Sequence, residues 1–99
     1  MARCDEHLRI CLELGALYER KNHDYDDSFH ETWEEEGVDM ARIRLSDKLS
    51  RFKQLTRDGA DQRVKDESIR DTLMDLANYA IMTVMELDRE RSKEHESNS

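Results

Sequence analysis

An all-α fold follows from three observations on this 99-residue chain. It has no proline and only three glycines, so it lacks most of the punctuation that β and α/β folds place at their turns. Apolar residues recur at three- and four-residue spacing over several stretches, the period of a helix face. A chain this short buries only about 60–65 % of its unfolded surface. The expected architecture is therefore a small bundle of three to four helices, completed by dimerisation.

The first helix is expected over residues 3–22, with Leu8, Cys11, Leu12, Gly15 and Leu17 or Tyr18 on its buried side. The stretch KNHDYDDSF that follows is rich in Asp and Asn and reads as a loop or bend. FHETWEEEG then gives a short helix with Phe29 and Trp33 on one face, closed by Gly37. Asp39 can cap a third helix over 40–57, whose apolar positions are Met40, Ile43, Leu45, Leu49, Phe52 and Leu55. RDGADQRVK turns at Gly59, and Asp66 can cap a long last helix running to residue 88. Residues 89–99, DRERSKEHESNS without its first residue, carry no apolar periodicity and are expected to form a disordered polar tail after a single domain of residues 1–88.

Charge is unevenly placed within the net −8. Residues 1–39 hold four basic and twelve acidic side chains, whereas residues 40–57 hold six basic and one acidic. One basic helix on an acidic chain argues against duplex nucleic acid, whose non-specific affinity comes from many cationic contacts to phosphate. A small phosphorylated ligand needs only a few. Cys4 and Cys11 lie about 10.5 Å apart along a helix and cannot pair within it. With no apolar run of membrane length or secretory leader, the chain reads as a reduced, cytoplasmic protein without a membrane partner. Cys4 with His7 lacks the second pair of a zinc site, and no glycine-rich phosphate loop is present.

In DESIRDTLMDLANYA, Glu67, Asp71, Asp75 and Asn78 fall within a helical arc of about 80°. Ile69, Leu73, Leu76, Ala77, Ala80, Val84 and Leu87 form the apolar side. Carboxylates bordering a core need a charged or metal partner. Oxygen-only donors suit Mg²⁺ or Mn²⁺, which keep several waters and bridge to phosphates, and an acid there can position or deprotonate a water. The bland alternative is a set of surface ion pairs with Arg70, Arg63 or the third helix.

KNHDYDDSF, RLSDKLSRFKQL and DESIRDTLMDLANYAIM together resemble the nucleotide modification associated domain 1 family over residues 17–87. That family, often phage-encoded, is similar to the all-α nucleotide pyrophosphatases of the MazG and dimeric dUTPase type. The resemblance implies a helical bundle completed by a second copy, with acids of two adjacent helices holding Mg²⁺ against a nucleoside triphosphate. Asp47, Glu67, Asp71 and Asp75 would be the metal ligands, Asp71 and Asp75 also the catalytic acids, and Lys21, Asn22, Tyr25 and Phe29 would sit near base or sugar. The pyrophosphatases carry Glu-x-x-Glu and Glu-x-x-Asp on the two helices. Here Asp47 stands alone on the first, and the second has four-residue spacing.

Arg44, Lys48 and Arg51 share one face and can either neutralise a triphosphate or answer the carboxylates across the helix interface. Tyr25 can stack on a base, Phe29 and Trp33 can stack or pack, and Asn78 extends the polar stripe beside the substrate. The leading functional expectation is a Mg²⁺-dependent nucleoside triphosphate pyrophosphohydrolase, cleaving between the α and β phosphates. The departure from the acid pattern motivates a second: a non-catalytic phage protein that sequesters a nucleotide or inhibits a host defence. A third is an acidic interaction protein with a basic host partner.

Overall fold

Helix accounts for almost all of the described chain. The structure, a computed structural model, describes residues 2–25, 27–57 and 62–97, and within these the side chains of all but residues 23–25, 62–66 and 95–97. Helix α1 spans Arg3–Tyr25, α2 Ser28–Glu36, α3 Val38–Arg57 and α4 Gln62–Ser97. The expected all-α bundle is what forms, without strands among the described residues. No described helix is long and apolar enough to cross a membrane. Helices α3 and α4 make the principal pair, α1 lies against α4, and α2 bridges α3 and α4.

Gly37 ends α2 as its sequence implies. Its φ of 72° suits a residue without Cβ, and its N–H bonds the Trp33 carbonyl at 2.8 Å. The Met40 N–H then reaches the Gly37 carbonyl at 3.2 Å, so α3 starts without an intervening loop. Asp27, before α2, takes the left-handed conformation that Asp tolerates.

Two boundaries differ from expectation. Helix α1 continues through 23–25 into the stretch expected to be a loop, and the Lys21–Asp75 bond ties its last turns to α4. Helix α4 starts at Gln62, ahead of Asp66, and runs to Ser97 through the stretch expected to be a disordered tail. Side chains of α2 hold that extension: Trp33 Nε1 donates to Glu90 at 2.7 Å, and Lys93 approaches Glu34 at 3.8 Å. A polar segment without apolar periodicity stays helical when a neighbouring helix supplies partners. The turn expected at Gly59 lies outside the described residues.

The core is small. Trp33, Met40 and Ala41 form one buried cluster with Phe29 packed against it, and Leu14 of α1 and Met74 of α4 are buried as well. Leu8, Leu12, Val38, Ile43, Leu49, Leu73, Ile81, Val84 and Leu87 stay largely exposed. Most of the apolar side expected for α1 is thus uncovered. So is that of α4, whose buried positions include Thr72, Asn78 and Glu86. The inversion has a geometric cause. α1 and α2 pack on the polar side of α4 and α3 on a flank, so Leu73, Ala80, Val84 and Leu87 of its apolar stripe stay exposed while Ile69, Leu76 and Ala77 are half-buried.

Candidate functional site

The polar side of α4 becomes a site because three other helices close over it. Tyr18, Lys21 and Asn22 from the last turns of α1, Ser28 and Phe29 from the start of α2, and Arg44 from α3 enclose a cleft of about 370 Å³. Asp75, Asn78, Tyr79 and Met82 of α4 form its floor at the three- and four-residue spacing of one helix face.

Asp75 is the charged centre. Lys21 Nζ bonds its Oδ1 at 2.9 Å and Lys48 Nζ bonds its Oδ2 at 3.3 Å, so α1 and α3 are tied to the same carboxylate on α4. Burial pushes the Asp75 carboxyl up, but the hydrogen bonds and charges of Lys21 and Lys48 together outweigh it and hold it below the ordinary carboxylate range. Lys48 also stands 6.0 Å from the Tyr79 ring centroid, at the limit of cation–π distance.

The aromatic wall is continuous with the core. Phe29 and Tyr79 have centroids 6.0 Å apart and tilted by 33°, and Phe29 and Trp33 are 6.5 Å apart. Asn78 is buried and donates from Nδ2 to the Leu14 carbonyl at 3.2 Å, which fixes α1 against α4 at the cleft's edge. Farther out, Arg70 forks onto both oxygens of Glu13 at 2.8 and 3.1 Å. That pairing is chiefly what lowers the Glu13 carboxyl from its ordinary value.

Of the residues expected at a site, Lys21, Asn22, Phe29, Arg44, Asp75 and Asn78 line this one cleft, and Lys48 joins it through Asp75. Arg51 is exposed on α3 and does not line it. The side chain of Tyr25 lies outside the described residues. Asp47, Glu67 and Asp71 are exposed. Asp47 opens instead on a separate depression with Glu36, Asp39 and Ile43.

The four expected metal ligands therefore do not come together within one chain. Among the described residues no three His, Cys, Asp or Glu side chains are grouped as a metal site would require. Asp75, the one acid lining the cleft, has both oxygens engaged by lysines.

Tyr18, Ser28, Tyr79 and Met82 also line the cleft and were not among the residues expected at a site. The signal for Tyr79 and Met82 was present: they continue the polar face of α4 from Asp75 at the same helical spacing. A second polar group went unread beside them. Glu86, 5 % exposed, accepts from His30 Nδ1 at 2.8 and 3.0 Å and is approached by Arg89 at 3.5 Å. His30 Nε2 lies 3.4 Å from Glu34. This cluster anchors α2 to α4 one turn beyond the cleft.

Chemically, the cleft offers cations for an anion, aromatic faces for a planar ring and an amide at the rim. The model of the nucleotide modification associated domain 1 family matches residues 21–87, a span that contains every described cleft residue except Tyr18. No curated protein matches the chain, and no solved structure does.

Proposed function

Because the chain belongs to the nucleotide modification associated domain 1 family, we propose that its interhelical cleft binds a phosphorylated nucleoside. The observation that carries this reading is the Lys21–Asp75–Lys48 cluster set beside the Phe29 and Tyr79 rings. Phosphate takes over the lysine ammonium groups, with Arg44 as a third cation on the wall. The aromatic pair faces the base, an interaction worth about 1–3 kcal/mol per base. Asn22 and Asn78 supply hydrogen-bonding groups for base or sugar edges.

Binding without turnover is the form of this function that the geometry favours, since the one acid in the cleft is held by two lysines. The second reading is Mg²⁺-dependent release of pyrophosphate from a nucleoside triphosphate. It rests on Glu67, Asp71 and Asp75 following one another at helical spacing on α4. A second copy would have to complete that donor set.

Self-association has its own support. Leu73, Ala77, Ala80, Val84 and Leu87 alternate four- and three-residue spacing, the seam pattern of paired helices. The large members of that seam are exposed in the single chain. A second copy of this chain is the proposed occupant of the α4 seam.

The test of function is direct. Purified protein is incubated with a panel of nucleotides and Mg²⁺, and thermal stability, pyrophosphate release and ligand mass are followed. A ligand at about 100 times its Kd adds roughly 2.7 kcal/mol to stability, so a binder raises the melting temperature and is recovered intact. Loss of that rise in Lys21→Ala/Lys48→Ala places it in this cleft. Pyrophosphate release abolished by Asp75→Ala selects the hydrolytic reading. Failure of every nucleotide to alter stability removes both.

A further inference from the structure

We propose that the cleft selects nucleoside monophosphates over the corresponding triphosphates. The inference rests on the nucleotide-binding reading above and deepens it through charge and size.

Charge is the stronger argument. Among the described residues that line the cleft, Lys21 and Arg44 are cationic and Asp75 is the single acid, and Lys48 reaches the cleft through Asp75. Among these described groups, three cations against one carboxylate leave an excess of two positive charges. A phosphate monoester carries about −1.5 to −2 at pH 7, its second pKa being near 6, so one such group neutralises the cluster. A triphosphate brings two further ionised phosphoryl groups. Inside a partly enclosed site, charge left without a partner costs more than it does in water.

Sites that accept triphosphates commonly offset the additional charge with Mg²⁺, held through one or two carboxylates and the phosphates themselves. Here both oxygens of Asp75 bind lysines, and no three metal-ligating side chains are grouped among the described residues. Size agrees with charge. About 370 Å³ is near the lower end of the roughly 300–1,000 Å³ spanned by small-molecule sites, suited to one base, one sugar and one phosphate.

The lysines also have a defined alternative partner. In the free protein Asp75 holds Lys21 and Lys48 together at 2.9 and 3.3 Å, which keeps two cations from repelling each other across the cleft. An incoming dianion binds to that preassembled pair. Asp75 thereby sets how much negative charge the site will accept, acting on specificity through the lysines.

Isothermal titration of the full chain with dAMP, dGMP, dCMP and dTMP, their di- and triphosphates, and inorganic phosphate, each with and without Mg²⁺, tests this. The expected result is at least tenfold tighter binding of the best monophosphate than of its triphosphate, with no gain from Mg²⁺. A triphosphate that binds as tightly or more tightly, in either condition, overturns the selection and leaves nucleotide binding intact. Absence of heat and of any thermal shift with every ligand overturns both. Asp75→Asn raises the excess positive charge by one and should move the preference toward the diphosphate, whereas Arg44→Gln lowers it by one and should weaken all ligands while widening the monophosphate advantage. An unchanged ratio of mono- to diphosphate affinity in Asp75→Asn, with helicity preserved by circular dichroism, refutes the charge argument.

Discussion

Removal of the His30 imidazole should destabilise the protein more than simultaneous removal of His30 and Glu86. The Glu86 carboxylate is almost fully enclosed and receives its two shortest contacts from His30 Nδ1, at 2.8 and 3.0 Å. Arg89 also approaches it, at 3.5 Å and half exposed. Breaking a buried pair by deleting one partner costs about 3–5 kcal/mol in the fully enclosed limit. The His30 side chain is 30 % exposed and Arg89 stays behind, so His30→Ala should cost about 1.5–3 kcal/mol, the range for a hydrogen bond to a charged group. In His30→Ala/Glu86→Leu the enclosed carboxylate left with only the long Arg89 contact is gone, and the double variant should recover about 1 kcal/mol or more of that loss. Urea unfolding followed by far-ultraviolet circular dichroism, at one protein concentration so that association is held fixed, measures both values. A His30→Ala cost under about 0.5 kcal/mol, the scale of an ordinary surface substitution, would refute the reasoning. So would a double variant less stable than the single one.

Because the Asp75 carboxyl is lowered in the folded state, its contribution is fully present above its unfolded value and is lost as pH falls below that value through the lowered one. Acid unfolding curves should therefore show a shallower decline below about pH 4 in Asp75→Asn than in the natural chain, and parallel curves would count against the lysine pairing. Trp33→Phe keeps the ring packing but deletes the 2.7 Å bond to Glu90, and should cost about 1 kcal/mol and lower the helical signal as α4 frays from its C-terminal end; unchanged helicity would mean the extension needs no anchor. Val84→Glu places a charge in the middle of the α4 seam, where the side chain is 54 % exposed in the single chain. It should convert a sedimenting dimer to monomer, and a natural chain already monomeric at high concentration would remove the proposed interface.

Helix number and the punctuation at Gly37 were legible because they depend on local rules: absence of proline, apolar period, and a position needing positive φ. Six of the cleft residues were legible too. Lys21, Asn22, Phe29, Arg44, Asp75 and Asn78 combine unusual polarity with helical spacing. What was not legible is which side of α4 faces inward. Periodicity reports that one side is apolar, and burial is then assigned to that side by default. In α4 the neighbours sit on the other one, so Asn78 and Glu86 are enclosed while Leu73, Val84 and Leu87 are not. The surroundings of the acids depend on tertiary placement in the same way. Asp47, Glu67 and Asp71 share a helical arc or a neighbouring helix with Asp75, but only Asp75 lies where α1 and α3 both reach.

The same geometry explains why so short a helix as α2 can shape a binding site. Nine residues are too few to hold a helix in water by propensity alone. Gly37 leaves α2 joined to α3 by a tight turn, and His30, Trp33 and Glu34 are each engaged by α4 residues from Glu86 to Lys93. Phe29, adjacent to His30, is thereby held at 6.0 Å from Tyr79 with its ring on the cleft wall. The polar extension of α4 is therefore continuous with the site. Its charged residues fix α2, α2 fixes Phe29, and Phe29 with Tyr79 makes the apolar half of a pocket whose other half is Lys21, Asp75 and Lys48.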